Sequence, residues 1–500
     1  MTFLLALSSL LSRILGFLRN YLLAHVFGAG IHSDAYFAAF QIPDTMYRLL
    51  VAGAISASFV PLFLLIKKSD EKKAWEFASS VLNIFLLVVG FLSVLLFFFA
   101  HQLTHILYPS FSAEAIEETT TLLRIVILSP ILFTFSSVLS GIQNAFRTFL
   151  GFAIAPIVYN LGIIIGIVFL APRMGIQGVA VGVVIGCFLH VLVQWIPVRR
   201  LGFRWNLCLA ITPFLKKFFW TMLPRVLSMA SLQIIYFIEG IIATALAAGD
   251  LSILRFAEDI QFFPIGIVGL SMAISSFSVM SHLAIDDKHD ELSIYVRDKL
   301  DHLLMILIPC AFGMFLLRLP LVTLALKGGH FEQAQVLATA NVLGALCLDI
   351  VATAMIPLLS RVFFSFHDTV LTFVVTISTV FLNTVLAIIF SQSYGVVGIA
   401  FAGSLAAALA VILFLVLMRF KYFKDFSFFS LPHFFVFSTA SVGMSLVLSR
   451  LLTLFSFSDH WITLFAQVVG VALIGAVVYG VLIFLFLGKK TFTLLSRIGE

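Results

Sequence analysis

Gly175-Ile176-Gln177-Gly178-Val179-Ala180 opens one long apolar run of the chain, and Gly395-Val396-Val397-Gly398-Ile399-Ala400 opens another 220 residues later. With the same offset, Ser140 falls on Ser360 and Phe146 on Phe366. A single small-residue motif of this kind is explained by helix packing alone. Two separate segments with one offset point to an internal repeat.

Around these motifs the chain is a succession of apolar runs separated by short polar connectors, and a run of about 20 residues crosses a bilayer as a helix. Fourteen spans are expected, from 3–26 to 461–487. Composition agrees: 61% hydrophobic residues, 11% charged residues and a mean hydropathy of +1.14 leave 500 residues no polar surface for a soluble globule. The expected fold is an all-α integral membrane protein of about 14 transmembrane helices. Two six-helix lobes, related by a parallel repeat, surround a central cavity, and two C-terminal helices follow. Six spans return the chain to its starting side, which makes the repeats parallel. The N-terminal lobe takes residues 1–200, the C-terminal lobe 201–425, and the last two helices with a cytoplasmic tail take 426–500. The second span, 33–65, is too long for one straight crossing, at about 33 residues and about 50 Å of helix. It contains Pro43, Gly53 and Pro61, so a bent or broken helix beside a cavity is expected.

Basic residues set the orientation. Counted on alternate sides, twenty Lys and Arg fall in the connectors of one side and four, Arg173, Arg318, Lys327 and Arg450, in those of the other. That asymmetry predicts both termini in the cytoplasm and an even number of spans. The net charge of +6 thus reports topology, spread over many connectors, and implies no nucleic acid. Cys187, Cys208, Cys310 and Cys347 are far apart and form no metal spacing or disulfide framework. Arg13 interrupts the first apolar run and no basic segment precedes it, so the first helix is expected to be retained rather than cleaved as a signal peptide.

The remaining six basic residues, Arg13, Arg19, Arg48, Arg124, Arg225 and Arg255, lie inside spans. An arginine at mid-helix costs roughly 2.5–3.5 kcal/mol unless it faces a wet cavity or meets an anion. The spans of the first lobe carry Arg13, Arg19, Arg48 and Arg124 against Asp34 and Asp44. Those of the second carry Arg225 and Arg255 against Glu239, Glu258, Asp259 and Asp349. The amino-terminal half is the cationic one, which favours an anionic substrate held between lobes near mid-membrane. Asp34 and Arg48 are about 40° apart in azimuth and about 21 Å apart along the axis, on one face at two depths. The alternative for each arginine is a structural ion pair, and Asp44–Arg48 and Arg255–Asp259 both have i, i+4 spacing. Arg124 and Arg225 lie near span ends, where they snorkel to the interface.

Ser12-Arg13-Ile14-Leu15-Gly16-Phe17-Leu18-Arg19, Phe27-Gly28-Ala29-Gly30, Ser33-Asp34-Ala35-Tyr36-Phe37, Ile42-Pro43, and Gly53-Ala54 through Phe59-Val60-Pro61 follow each other in an order and spacing that resembles the MviN/MurJ lipid II flippase family. Span count, lobes and repeat extend the resemblance over the whole chain. The family belongs to the multidrug, oligosaccharidyl-lipid and polysaccharide exporter superfamily. The resemblance implies a flippase of the bacterial inner membrane that moves the undecaprenyl-diphosphate-linked peptidoglycan precursor to the periplasmic leaflet by alternating access. It implies substrate contacts at Arg13, Arg19, Asp34 and Arg48, and a groove for the lipid tail in the last two helices. Asn20 departs from the family's acidic residue, Ala52 from a frequent Glu, and Asp259 from a common arginine, a role for which Arg255 stands one turn earlier. No cofactor is implied. Energy is expected from a coupling cation or the membrane potential, with Glu239 and Asn383 as the cation ligands the family suggests, and the partners expected are the lipid-linked precursor and membrane lipids, with the chain a monomer. Rival readings are a polysaccharide-lipid flippase, a multidrug exporter, and a membrane enzyme acting on prenyl diphosphates through the cluster Asp286–Glu291. As a connector charge run, that cluster reads as a solvated face.

Overall fold

The structure, a computed structural model, describes residues 2–52, 58–210, 212–423, 430–454, 457–458 and 460–488, without the side chains of 2–6, 52, 223–232 and 431. Gly53, Ala54, Lys424, Lys489, Lys490 and Arg497 therefore lie outside the described residues, as do the side chains of Ala52 and Arg225.

Helix occupies each of the fourteen expected stretches. Ten helices among the described residues have the length and hydropathy to cross a membrane. One of these, Thr369–Lys421, is two spans joined at Gly395. Thr2–Phe27, the pair Ile31–Tyr47 and Val60–Ser69, and Pro213–Thr244 fill the remaining stretches. Hydrocarbon offers no partner to a backbone amide, so an apolar run satisfies its own groups by closing into helix.

The α-helix of the second span is interrupted, in keeping with its length and prolines. It ends at Tyr47, Arg48–Ala52 forms a π turn, Ser58 and Phe59 are again in π geometry, and α-helix is described from Val60 with Pro61 in the first turn. Pro43 lacks an amide hydrogen and crowds the carbonyl one turn earlier, which weakens the ladder just before the break. Similar π turns sit at Gly166–Leu170 and, directly after Pro264, at Ile265–Leu270.

The repeat is written in the backbone. Gly175 has φ 61° and ψ −148°, and Gly395 has φ 56° and ψ −141°, a region that only glycine enters without strain. Three residues on, Gly178 presses against the backbone of Leu170 and Ala171, and Gly398 against that of Phe390 and Ser391, again 220 residues away. Arg147 and His367 both have positive φ, 55° and 57°. Each lies in a turn closed by matching bonds, Thr148 N–H to Gln143 O and Asp368 N–H to Phe363 O, both 2.9 Å. Phe146 stacks on Trp75 with Lys67 Nζ 3.6 Å from its ring centre, while Phe366 stacks on Tyr422 and His289.

By packing, the chain forms two compact units. Met1–Ser252 with Gly328–Glu332 is the first, and Ile253–Lys327 with Gln333–Glu500 is the second. In the first, Leu150–Ile165 and Ile176–Arg200 lie backbone to backbone through glycines. The loop Gly328–Glu332 seats there on the end of Thr2–Phe27, with His330 N–H donating to His25 O at 2.9 Å. In the second, the two last helices are tied in by Tyr479 Oη to Met305 O (2.7 Å), Trp461 Nε1 to Leu324 O (3.2 Å) and His433 to Asp301 (2.8 Å).

Asp70 caps Glu71–Phe98 in the connector before it, accepting from Lys73 N–H at 3.1 Å. That bond, together with the Lys73 charge, holds the carboxyl below its ordinary range. A carboxyl with a depressed folded value contributes stability above the ordinary value, and the contribution disappears as pH falls through the depressed one. Thermal unfolding in detergent is therefore expected to show a small acid-dependent loss below about pH 4 that Asp70→Ala removes. An unchanged acid limb in that variant overturns the assignment.

Candidate functional site: a cationic surface in the first unit

Arg19 lies on Thr2–Phe27 where that helix packs against Leu150–Ile165. Its Nε and Nη2 donate to Asn20 Oδ1 at 3.0 and 2.9 Å, and its Nη1 to Asn160 Oδ1 at 3.4 Å. Asn160 Nδ2 in turn donates to Ser12 O and Oγ, both at 3.3 Å, and to Pro156 O. These partners orient the guanidinium without neutralising it. Asn20, a neutral carboxamide, takes the hydrogen bonds and leaves the positive charge in place. Arg13 is half-buried on the same helix, and no hydrogen-bond or ion-pair partner for it is found among the described residues.

Arg48 begins the π turn and is exposed. Its Nε meets Asp44 Oδ2 at 2.7 Å, with side chains 56% and 43% exposed. The i, i+4 pair anticipated from spacing is thus formed. At this exposure such a pair is worth about 0.2–1 kcal/mol, so a stronger anion can displace the carboxylate. Tyr47, one residue earlier, bonds Ser137 Oγ at 2.8 Å and packs at a tilt against Phe133, which also packs on Tyr159 and His190. Tyr159 lies within electrostatic reach of both Arg19 and Asp44. The fold therefore gathers Arg19 and the Asp44–Arg48 pair around one aromatic group of the first unit.

The other expected site residues are placed differently. Asp34 is buried, and its oxygens accept from Gly249 N–H (2.6 Å), Ser252 N–H (2.8 Å) and Ser252 Oγ (2.7 Å). Its carboxylate pins Ile31–Tyr47 to the turn 249–252. Arg255 belongs to the second unit, is buried, and donates from Nη1 to both oxygens of Glu258 at 3.0 and 2.7 Å. A carboxylate three residues on is thus one of its partners. Glu239 is half-buried on Pro213–Thr244 in the first unit, and Asn383 is buried on Thr369–Lys421 in the second. Arg124 lies exposed in the last turn of Ala113–Val126, against the ring and carbonyl of Phe97, as its place near a span end anticipates.

Largely buried polar residues not singled out by sequence lie behind this surface. Asn160 is a carboxamide in the middle of an apolar run, which is its signal. Ser136, His190 and Gln194 form a chain of bonds with Ser140 and Gln143 beside Phe133. Only Ser140 of these was marked by the repeat.

The chain as a whole is similar to known proteins. The family model described as "Lipid II flippase MurJ" matches residues 23–484. A probable lipid II flippase MurJ of Borreliella burgdorferi is 27% identical over 417 residues, 83% of this chain and 82% of that one. The lipid II flippase MurJ of Burkholderia cenocepacia is 25% identical over 472 residues, 92% and 90% of the two chains. A solved structure described as lipid II flippase MurJ in an inward closed conformation superposes with a TM-score of 0.82 at 26% identity, covering 98% of this chain and all of that one. An inward-facing multidrug transporter of the MATE family shares the fold, at TM-score 0.70 and 18% identity over 83% of this chain and 96% of its own.

Proposed function

The chain belongs to the lipid II flippase MurJ family, and from that premise we propose that it carries the lipid-linked peptidoglycan precursor across the bacterial inner membrane with Arg13, Arg19 and Arg48 as the groups that hold the diphosphate. The observation that carries the site is the state of those guanidiniums: two without a carboxylate partner among the described residues and one in a half-exposed, displaceable pair. A diphosphate cannot enter hydrocarbon unaided, whereas its prenyl tail remains in lipid. Arginine offers permanently charged, planar donors that match phosphate oxygens. Alternating access then moves the head group from the cytoplasmic to the periplasmic side, with both termini cytoplasmic by the distribution of Lys and Arg. Asp34 serves this site by holding Ile31–Tyr47, and Arg255, paired with Glu258, is a further candidate cation within the second unit.

A multidrug exporter for cationic compounds requires acidic groups where this unit exposes arginines. For energy, a coupling cation with Glu239 or Asn383 as a candidate ligand, or the membrane potential acting on moving charge, is part of the proposal. One elementary charge crossing 100 mV supplies about 2.3 kcal/mol.

Purified full-length protein in liposomes containing labelled precursor decides between transport and chemistry. The expected result is movement of the head group to the opposite leaflet with the precursor chemically unchanged. Cleaved or transferred product, with no change of leaflet, rejects the flippase reading in favour of an enzyme.

A further inference from the structure

The second unit contains a carboxylate that the proposed diphosphate site does not use. Asp349, 8% exposed, ends a 3-10 turn, Cys347–Asp349, that interrupts the span Gln333–Ser365. The interruption leaves carbonyls to be satisfied from neighbouring helices: Leu346 O accepts from Gln261 Nε2 and Ala345 O from Ser404 Oγ, both at 2.9 Å. Gln261 Nε2 also donates to Asp349 Oδ1, and Thr353 Oγ1 donates to Oδ2 at 3.0 Å. Every one of these donors is neutral. No Lys, Arg or His pairs with Asp349 among the described residues. The charged group facing it is Glu258, already paired with Arg255. Cys347 lies in the same turn with Arg318 within reach, Cys310 is the titratable residue in the second half of His289–Leu316, and Tyr394 is the one in the middle of Thr369–Lys421. The segment Gln333–Leu346 has no titratable side chain.

An ionisable residue buried inside a membrane span, without a counter-charge and beside irregular backbone, is where transporters place coupling ions. We propose that Asp349 is a proton-binding site that loads and releases one proton per transport cycle. The proton adds to a carboxylate oxygen, the site becomes neutral, and no other bond changes. The shell suits both states. A hydroxyl donates to a carboxylate or accepts from a carboxylic acid by rotating, and a carboxamide does the same by presenting its nitrogen or its oxygen. Coupling to transport rests on the flippase reading above; proton binding does not.

The test separates the two. Full-length protein in lipid nanodiscs, followed by pH-difference infrared spectroscopy, is expected to show a protonated-carboxyl band that titrates and is absent in Asp349→Asn. A band unchanged by that substitution overturns the proposal. Thr353→Val, which removes one donor to the ionised form, is expected to move the band's midpoint to higher pH; an unmoved midpoint counts against the site even where Asp349→Asn fails to fold. In liposomes, one pH unit across the membrane is a tenfold bias on a coupled proton. Wild-type precursor flux is expected to rise by up to about that factor and Asp349→Asn to lose the response. A flux that responds to sodium but not to pH overturns the proton assignment. Absence of wild-type flux under all gradients overturns the flippase reading, and the infrared titration then decides proton binding alone.

Discussion

Arg48→Ala is expected to abolish precursor translocation while the protein still accumulates in the membrane at its normal level, and Arg13→Ala is expected to do the same. A hydrogen bond to a charged group contributes about 1.5–3 kcal/mol, so losing one from the diphosphate costs on the order of 10–100-fold in affinity. Losing a bidentate pair costs more. Arg48→Lys keeps the charge but not the planar fork, and is expected to retain part of the activity. The structure supplies a control that distinguishes a ligand role from a structural one. If Arg48 serves only its pair with Asp44, then Asp44→Asn must reproduce the loss; if Arg48 serves phosphate, Asp44→Asn frees the guanidinium and flipping persists. For Arg13 no carboxylate partner exists among the described residues, so a loss on truncation is not the breaking of an internal pair. The measurement is head-group translocation in liposomes together with accumulation of the lipid-linked intermediate in cells relying on the variant. Normal translocation by both Arg13→Ala and Arg48→Ala removes them from the site.

What the residues disclosed in advance is what short-range physics governs. Most spans are long apolar runs, so the fourteen stretches are legible in the hydropathy pattern even where arginines interrupt the first two. The irregularity expected in the second span follows from a run too long to cross once and from Pro43, Gly53 and Pro61, and the α-helix does give way there, to a π turn at Arg48–Ala52. The 220-residue offset was visible because Gly175 and Gly395 must adopt a backbone conformation closed to other residues. The site was less legible because its partners are distant. Asp34 reads as a free carboxylate facing a cavity until residues 215 and 218 positions away are brought to its oxygens. Arg255 has acids at both i+3 and i+4, and only side-chain geometry shows that Glu258 is among its partners. Asn160, 141 residues from Arg19, and Asp349, 88 from Gln261, acquire their roles through contacts that no local pattern encodes.

Gly182→Leu is expected to prevent the first unit from folding, and Gly182→Ala to weaken it severely. A Cβ at Gly182 meets Gly166 Cα at 2.6 Å and Gly162 O at 2.9 Å. Across the same seam, one at Gly166 meets Gly182 Cα at 2.7 Å, and one at Gly186 meets Tyr159 O at 2.5 Å. These are backbone atoms of two long helices, which cannot swing aside as a side chain does, so the added carbon must push the helices apart along their length. Overpacking a well-filled core by one methylene costs about 1–3 kcal/mol. Here the cost is expected to reach or pass the upper end, because small residues at four-residue spacing are what let the helices approach closely in lipid. Separation also disturbs Tyr159, which sits on the same seam, and the helix whose other face carries Asn160 and its bond to Arg19, so surviving Gly182→Ala protein is expected to bind precursor more weakly. Gly90→Ala is the matched control: a Cβ there meets nothing within 4 Å, and the substitution is expected to be neutral or slightly stabilising, since alanine is the better helix former. Membrane yield and melting temperature in detergent read both. Equal melting temperatures for Gly182→Ala and Gly90→Ala contradict a backbone-to-backbone seam in the first unit.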